Sequence, residues 1–451
     1  MRSSENSSIF KAVDLTEGSI AGGMIAFVIP LFIGQLLQQL YNLADAWVIG
    51  NFAANEAFAA VSTSGNIVFL IIGFCNGLSI GGSVIISRYF GAKDAQKTSE
   101  AIHTNLLMGI GASVLGTLVG IFLIPIMVGW MNVPDSVLPY ALTYLKIYFS
   151  GVSTVILYNI FMSIMRALGD SIHPLLYLLI SSVVNIILDL LFVAVFGWGV
   201  SGAAIATVCS QGLSALLCLI RMMRASDMSR IELRKIRFYP AIMKAALAQG
   251  LPTGVQNSVI SIGNIVVQAN INAFGAAAMS GQGAYAKIEG FVFLPIMCIS
   301  SMLPTFISQN LGARKPERAK RGAFYGIAAG MVLAEAFGIF FRTFGRELLG
   351  IFISDESSIG FGLTHIRCIV IFYFLLAFSH CAAGTLRGLG KSIIPMFAML
   401  SVWCAFRILY VTLALKVFPV YETICFAYPI TWTITTIIFG LFLLRMDWEK
   451  A

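Results

Sequence analysis

Charge is scarce in this sequence. Only 11% of its 451 residues are Asp, Glu, Lys or Arg, while 58% are hydrophobic; a soluble domain carries about 25% charged residues. So little charge cannot cover a water-exposed globule of this length, which excludes a soluble enzyme or binding module. Cysteine pairing motifs are also missing. Cys75, Cys209, Cys218, Cys298, Cys368, Cys381, Cys404 and Cys425 form no CxxC and sit in or beside apolar blocks. That pattern excludes zinc or disulfide frameworks and predicts reduced, buried thiols. The four histidines, His103, His173, His365 and His380, fall at no metal-ligand spacing, so no metal site is expected beyond a possible Na⁺. Met1 to Glu17 is polar and mixed in charge, which predicts no cleavable signal peptide.

Long apolar blocks fill the chain instead. Each reaches the roughly 20 residues needed to cross a bilayer, without period-2 alternation. Inside lipid only helices and closed barrels satisfy their own backbone, so the blocks read as helices. Twelve are expected, at 21–50, 57–87, 99–127, 137–165, 174–196, 200–221, 241–273, 277–308, 320–341, 361–386, 392–415 and 421–444.

The net charge of +8 forms no patch suited to nucleic acid. Of 29 Lys and Arg residues, 22 lie in the tails and in the loops after helices 2, 4, 6, 8 and 10. Five, Lys146, Arg342, Arg346, Arg367 and Lys416, lie at the opposite ends, and Lys287 and Arg407 lie inside spans. Basic loops stay cytoplasmic, which predicts a multi-pass protein of the cell (inner) membrane with both termini in the cytoplasm. The segment 221–240 carries six basic and two acidic residues and reads as a linker lying on the anionic inner leaflet.

The halves repeat. LTYLKI (Leu142 to Ile147) matches LTHIRC (Leu363 to Cys368), RALGDSIHP (Arg166 to Pro174) matches RGLGKSIIP (Arg387 to Pro395), and ISRYFGAK (Ile86 to Lys93) matches ISQNLGAR (Ile307 to Arg314), all at an offset of 221. Three ordered matches at one offset mark a duplication. An even number of spans per copy gives both copies the same orientation. The fold class is therefore an all-α membrane protein with twelve transmembrane helices in two pseudo-two-fold-related six-helix lobes, 1–220 and 241–451, with substrate bound between lobes that rock.

A carboxylate at mid-membrane costs roughly 2.5–3.5 kcal/mol on insertion scales, so it faces a cavity or a partner. Asp45 shares one third of the first helix with Gly34, Gln35, Gln38, Tyr41 and Asn42, and Pro30 allows a bend there. Asn185 and Asp189 are four apart in the fifth helix, so they stack on one face. Thr207, Gln211 and Ser214 line the sixth. Two carboxylates with an amide and a hydroxyl can cage a hard cation through oxygen, or exchange protons where like charges crowd out of water. Interhelical packing or structural ion pairing is the plainer alternative, but no Lys or Arg lies in these stripes. The seventh helix carries Thr253, Asn257, Ser261, Asn264 and Gln268 without charge. Asn264 there matches Asn42, while Val267 replaces Asp45. Arg407 and Val411 likewise replace Asn185 and Asp189. Glu289 in the eighth helix divides between substrate contact and a structural pair, and Glu335 and Arg407 read as lone structural charges.

At these residues the chain resembles the multidrug and toxin extrusion (MATE) family. YNLADAWVIG (Tyr41 to Gly50), ISRYFGAK, RALGDSIHP, NIILD (Asn185 to Asp189), GAAIATV (Gly202 to Val208), KIEGFVFLP (Lys287 to Pro295), ISQNLGAR, RGLGKSIIP and AYPITW (Ala427 to Trp432) carry the resemblance across nearly the whole chain. It implies secondary active export of amphipathic, often cationic drugs in exchange for H⁺ or Na⁺, with no enzymatic activity, no cofactor beyond the ion, and function as a monomer in membrane lipid. The family's ion site falls on Asp45, Asn185, Asp189 and Thr207. The expected substrate cavity comprises Gln38, Tyr41, Asn42, Gln256, Asn257, Asn264 and Glu289. The seventh and tenth helices lack the carboxylates some members add, so coupling is expected in the first lobe. Two rival readings are a lipid-linked oligosaccharide flippase of related architecture, which needs more intramembrane cations, and a membrane aspartyl hydrolase using Asp45 and Asp189, which the duplication opposes.

Overall fold

The computed structural model describes residues 13–130 and 134–450, so most of the polar leader lies outside it. Among the described residues twelve helical rods follow one another: α1 (Ile20–Phe52), α2 (Asn55–Gly91), α3 (Ala95–Trp130), α4 (Leu138–Ser150 and Val152–Ala167), α5 (Ile172–Asp189, continued by a π-helical stretch, Leu190–Val195) and α6 (Gly199–Arg224). After a short turn of 3₁₀ helix, Leu233–Lys235, come α7 (Pro240–Asn272), α8 (Ala276–Gly312), α9 (Pro316–Gly350) and α10 (Glu356–Ile369, Val370–Phe372 and Tyr373–Gly388). The last two are α11 (Ile393–Met399, π-helical Leu400–Phe406 and Arg407–Val417) and α12 (Tyr421–Leu444). Each rod coincides with one expected span.

Among the described residues ten rods are long and apolar enough to cross a membrane, and α4 makes an eleventh if its halves, bent by 48°, count as one. Gly151 sits at that bend, where a Cβ would run into the Val208 side chain. The twelfth rod, α7, is made less apolar by its amide stripe. Outward faces are greasy, as lipid requires: Val114, Leu115, Leu118 and Phe122 on α3 are each more than half exposed. A water-soluble protein rarely presents so continuous an apolar face.

The chain divides into two compact units, residues up to Ala246 and from Leu247 onward. The first is α1 to α6 with the linker, around a core that includes Ile102, Leu145, Phe149, Ile156, Ile164 and Ala203. The second is built on α8, packed against α9 and against the first and last segments of α10. Gly322, Gly326 and Gly330, four apart on α9, give a smooth stripe against Phe306, Leu303 and Cys381, the small-residue packing usual between membrane helices.

The sequence repeat is a backbone repeat. Lys93 and Arg314 both take φ near +57° (57° and 56°), and Gly169 and Gly390 both take positive φ (87° and 76°); a left-handed residue past a helix end satisfies its last carbonyls. Lys93 N–H bonds Phe90 O and Asp94 N–H bonds Tyr89 O, as Arg314 and Lys315 bond Leu311 and Asn310. Ser87 Oγ donates to Ala167 O at 3.2 Å and Ser308 Oγ to Gly388 O at 2.9 Å, 221 residues on.

Candidate functional site

The first lobe gathers its expected ion-site residues on three helices. Asp45 stands on α1, Asn185 and Asp189 end α5, and Thr207 lies in α6. The α1 and α5 rods pack directly, as do α5 and α6. Asp45 and Asp189 interact with each other, although α1 and α5 bring them from opposite ends of the lobe's sequence. Asn185 and Asp189 are fully buried, Thr207 is buried, and Asp45 is half-buried. Both oxygens of Asp189, Oδ1 of Asp45, and both Oδ1 and Nδ2 of Asn185 are shielded from solvent without a hydrogen-bond partner in the protein.

A buried carboxylate oxygen with no donor costs several kcal/mol, and native structures satisfy nearly all such groups. Thr207 Oγ1 donates to Ala203 O at 3.0 Å, so its proton is committed and its oxygen acts toward the cluster as an acceptor. The cluster is oxygen-rich, donor-poor and without a cation. It suits one small hard cation or a shared proton.

Three tyrosines wall this cluster. Tyr41, buried on α1, interacts with Thr207 and feels the charge of Asp45. Tyr144 and Tyr148, buried on the first segment of α4 with stacked rings at 6.0 Å, complete the wall, and Tyr144 lies in the field of both acids. Sequence reasoning missed these two. Their spacing of four was the only signal, and it reads equally well as core. Gln38 is half-buried and Asn42 exposed on α1.

The second lobe holds a different constellation. Glu289 on α8 is half-buried and accepts from Tyr285 Oη at 2.9 Å; Tyr285 in turn meets Tyr373 Oη of α10 at 2.8 Å. Arg407, which starts the last segment of α11, interacts electrostatically with Glu289 and bonds Asn264 and Thr431. Arg407 forms no ion pair among the described residues, in keeping with a lone charge, yet three elements distant in sequence converge on it. Gln256 is buried and donates Nε2 to Met399 Sδ of α11 at 2.8 Å. Asn257 is half-buried and Asn264 exposed. The side chain of Ser261 lies outside the described residues. His365, fully buried, packs on Tyr285 with ring centroids 4.2 Å apart.

Comparisons with known proteins follow the same division. The MatE family model matches residues 30–191 and again 252–413, two stretches beginning 222 residues apart. "Probable multidrug resistance protein YpnP" of Bacillus subtilis is 28% identical, over 87% of this chain and 88% of its own. "Multidrug export protein MepA" of Staphylococcus saprophyticus is 26% identical, over 83% of each. The solved structure of a MOP superfamily transporter from Pyrococcus furiosus superposes with a TM-score of 0.90 at 22% identity, covering 98% of this chain and 99% of that one; it shares the fold. With both halves of its length matched in register, the chain belongs to MatE, the multidrug and toxin extrusion family of membrane transporters.

Proposed function

We propose that the chain is a multidrug efflux transporter that expels amphipathic, mainly cationic compounds in exchange for inward H⁺ or Na⁺ by alternating access. The single observation that carries this reading is the partnerless acid cluster of the first lobe, with Asp189 Oδ1 and Oδ2, Asp45 Oδ1 and Asn185 Oδ1 all buried and all lacking a donor. An arriving proton or sodium ion supplies what they lack. Asp45 and Asp189 bind it, while Asn185 and Thr207 complete the oxygen set. Gln38, Tyr41, Asn42, Asn257, Asn264 and Glu289 offer polar contacts to cargo, and Gln256 supports them from behind.

The energetics suit exchange. One charge moving down 100 mV releases about 2.3 kcal/mol. A swing between 1:99 and 99:1 needs a differential affinity of about 5.5 kcal/mol, so the ion must bind one state far better than the other. Both termini on the cytoplasmic side and action as a monomer belong to the same proposal.

The test is drug accumulation in everted membrane vesicles under separately clamped sodium and proton gradients. Uptake that follows one gradient in wild type and vanishes in Asp45→Asn and Asp189→Asn supports the reading. Gradient-independent uptake, or full activity in the double variant, refutes it.

A further inference from the structure

Cys368 and Cys425 are both free thiols, and the fold brings them together. Cys368 stands on the first segment of α10 and Cys425 one turn inside α12. These two elements pack on each other, and the two thiols interact across the contact. Their surroundings differ. Cys425 is fully buried, whereas Cys368 is half-buried.

A base stands at the buried sulfur. His365, three residues before Cys368 and so on the same helix face, is fully buried. Its Nδ1 lies 3.3 Å from Cys425 Sγ and 3.1 Å from Tyr421 Oη, and its Nε2 has no partner. Tyr421 Oη donates onward to Gln282 Oε1 at 3.5 Å, which leaves His365 Nδ1 to accept the Cys425 proton. One thiol is reachable and the other has a proton acceptor beside it. That is the division between the attacking and the resolving member of an oxidisable pair.

The pair also sits at a break in α10. The helix passes through a 3₁₀ turn over Val370–Phe372, with φ of −112° at Ile369 and −113° at Phe372. Tyr373, the first residue past the turn, carries the hydroxyl that meets Tyr285, and the His365 ring packs on Tyr285 at 4.2 Å between centroids. A bond between the two sulfurs would tie the first segment of α10 to α12 beside the chain that ends on Glu289. In the proposed orientation both helices start on the side away from the cytoplasm, where thiols meet oxidants.

We propose that Cys368 and Cys425 form an oxidation site, which low-molecular-weight disulfides close into a cross-helix disulfide that slows export while it lasts. The Cys368 thiolate attacks the oxidant R–S–S–R, forming a mixed disulfide and releasing RS⁻. Cys425, its proton passed to His365 Nδ1, attacks Cys368 Sγ; the Cys368–Cys425 bond forms and a second RS⁻ leaves. The two thiol protons end on the released RS⁻ as RSH, so the oxidant gains the two electrons that the pair loses. The disulfide chemistry stands apart from the transport reading, and only the slowing of export rests on it.

The experiment treats the full chain in proteoliposomes with dithiodipyridine, a small uncharged disulfide, and then with dithiothreitol. Peptide mass spectrometry reads the Cys368–Cys425 crosslink. Drug export under an imposed ion gradient is followed before oxidation, after it and after reduction, in wild type, Cys368→Ser and Cys425→Ser. Wild type should form the crosslink, lose export about tenfold, within the usual span of a coupling between sites, and regain it on reduction. Both variants should export as untreated wild type does and ignore the oxidant. A missing crosslink overturns the site. A crosslink without loss of export, or equal inhibition of Cys368→Ser, overturns the slowing. Should Cys425→Ser fail to fold, Cys368→Ser and the wild-type crosslink decide. Untreated wild type without ion-dependent export refutes the transport reading and the slowing with it, while the crosslink still decides the oxidation site.

Discussion

Replacing Asp189 by Asn should make the ion-free protein more stable while ending its response to ions. Asp189 is fully buried, faces Asp45, and has no donor on either oxygen. Two unit charges about 4 Å apart at an effective dielectric constant near 20 repel by roughly 4 kcal/mol, a cost the empty site bears unless a proton is taken up. Asn keeps the shape, removes one charge, and supplies an N–H that Asp45 can accept. A net gain of about 1–3 kcal/mol is expected after the lost solvation is counted. Wild type should recover a comparable amount when the ion arrives, since a ligand at 100 times its Kd adds about 2.7 kcal/mol. The assay is thermal unfolding of purified protein, in sodium against choline chloride and from pH 5 to 8. Wild type should shift upward with the coupling ion and the variant should start higher and stay flat. A variant that melts well below ion-free wild type, or one that keeps the full ion-dependent shift, would refute the reasoning.

Three further outcomes follow from packing and capping. A Cβ at Gly384 on α10 would lie 2.5 Å from Ser300 O of α8, so Gly384→Ala should destabilise by about 1–3 kcal/mol, read as a lowered melting temperature without change in ion response. Leu15 is fully buried in the segment that leads into α1, where Val13 N–H bonds Gly169 O at 3.0 Å; Leu15→Ala should cost about 2–5 kcal/mol and speed proteolysis of that segment. Asp355 caps α10, accepting from Ser358 N and Oγ, each at 2.8 Å, and those bonds hold its carboxyl below the ordinary range. Its contribution is present above the usual carboxylate pKa and is lost as pH falls through the lowered value, so exchange of the Ser358 amide should quicken in acid, and at neutral pH in Asp355→Ala.

The rods were legible because hydropathy at membrane length dominates every local preference. Their ends were less so: α9 was expected over 320–341 and runs over Pro316–Gly350, since Arg342, Arg346 and Glu347 resemble a polar break yet remain good helix formers. The bend at Gly151 and the π-helical stretches beside Asp189 and Arg407 leave no mark in residue periodicity. The acids of the first lobe could be singled out because an intramembrane charge demands a reason. Tyr144 and Tyr148 could not, since aromatic residues on a membrane helix usually meet lipid or core. Arg407 was read as solitary because its neighbours, Asn264, Glu289 and Thr431, come from α7, α8 and α12, and only the folded chain brings them together.

In the proposed exchange, one acid pair in the first lobe carries the coupling ion. Ion flux evoked by drug addition to proteoliposomes tests it most directly. Wild type should move H⁺ or Na⁺ against the drug on each addition, and Asp45→Asn/Asp189→Asn should bind drug yet evoke no ion movement. Wild-type flux from the double variant would contradict the account.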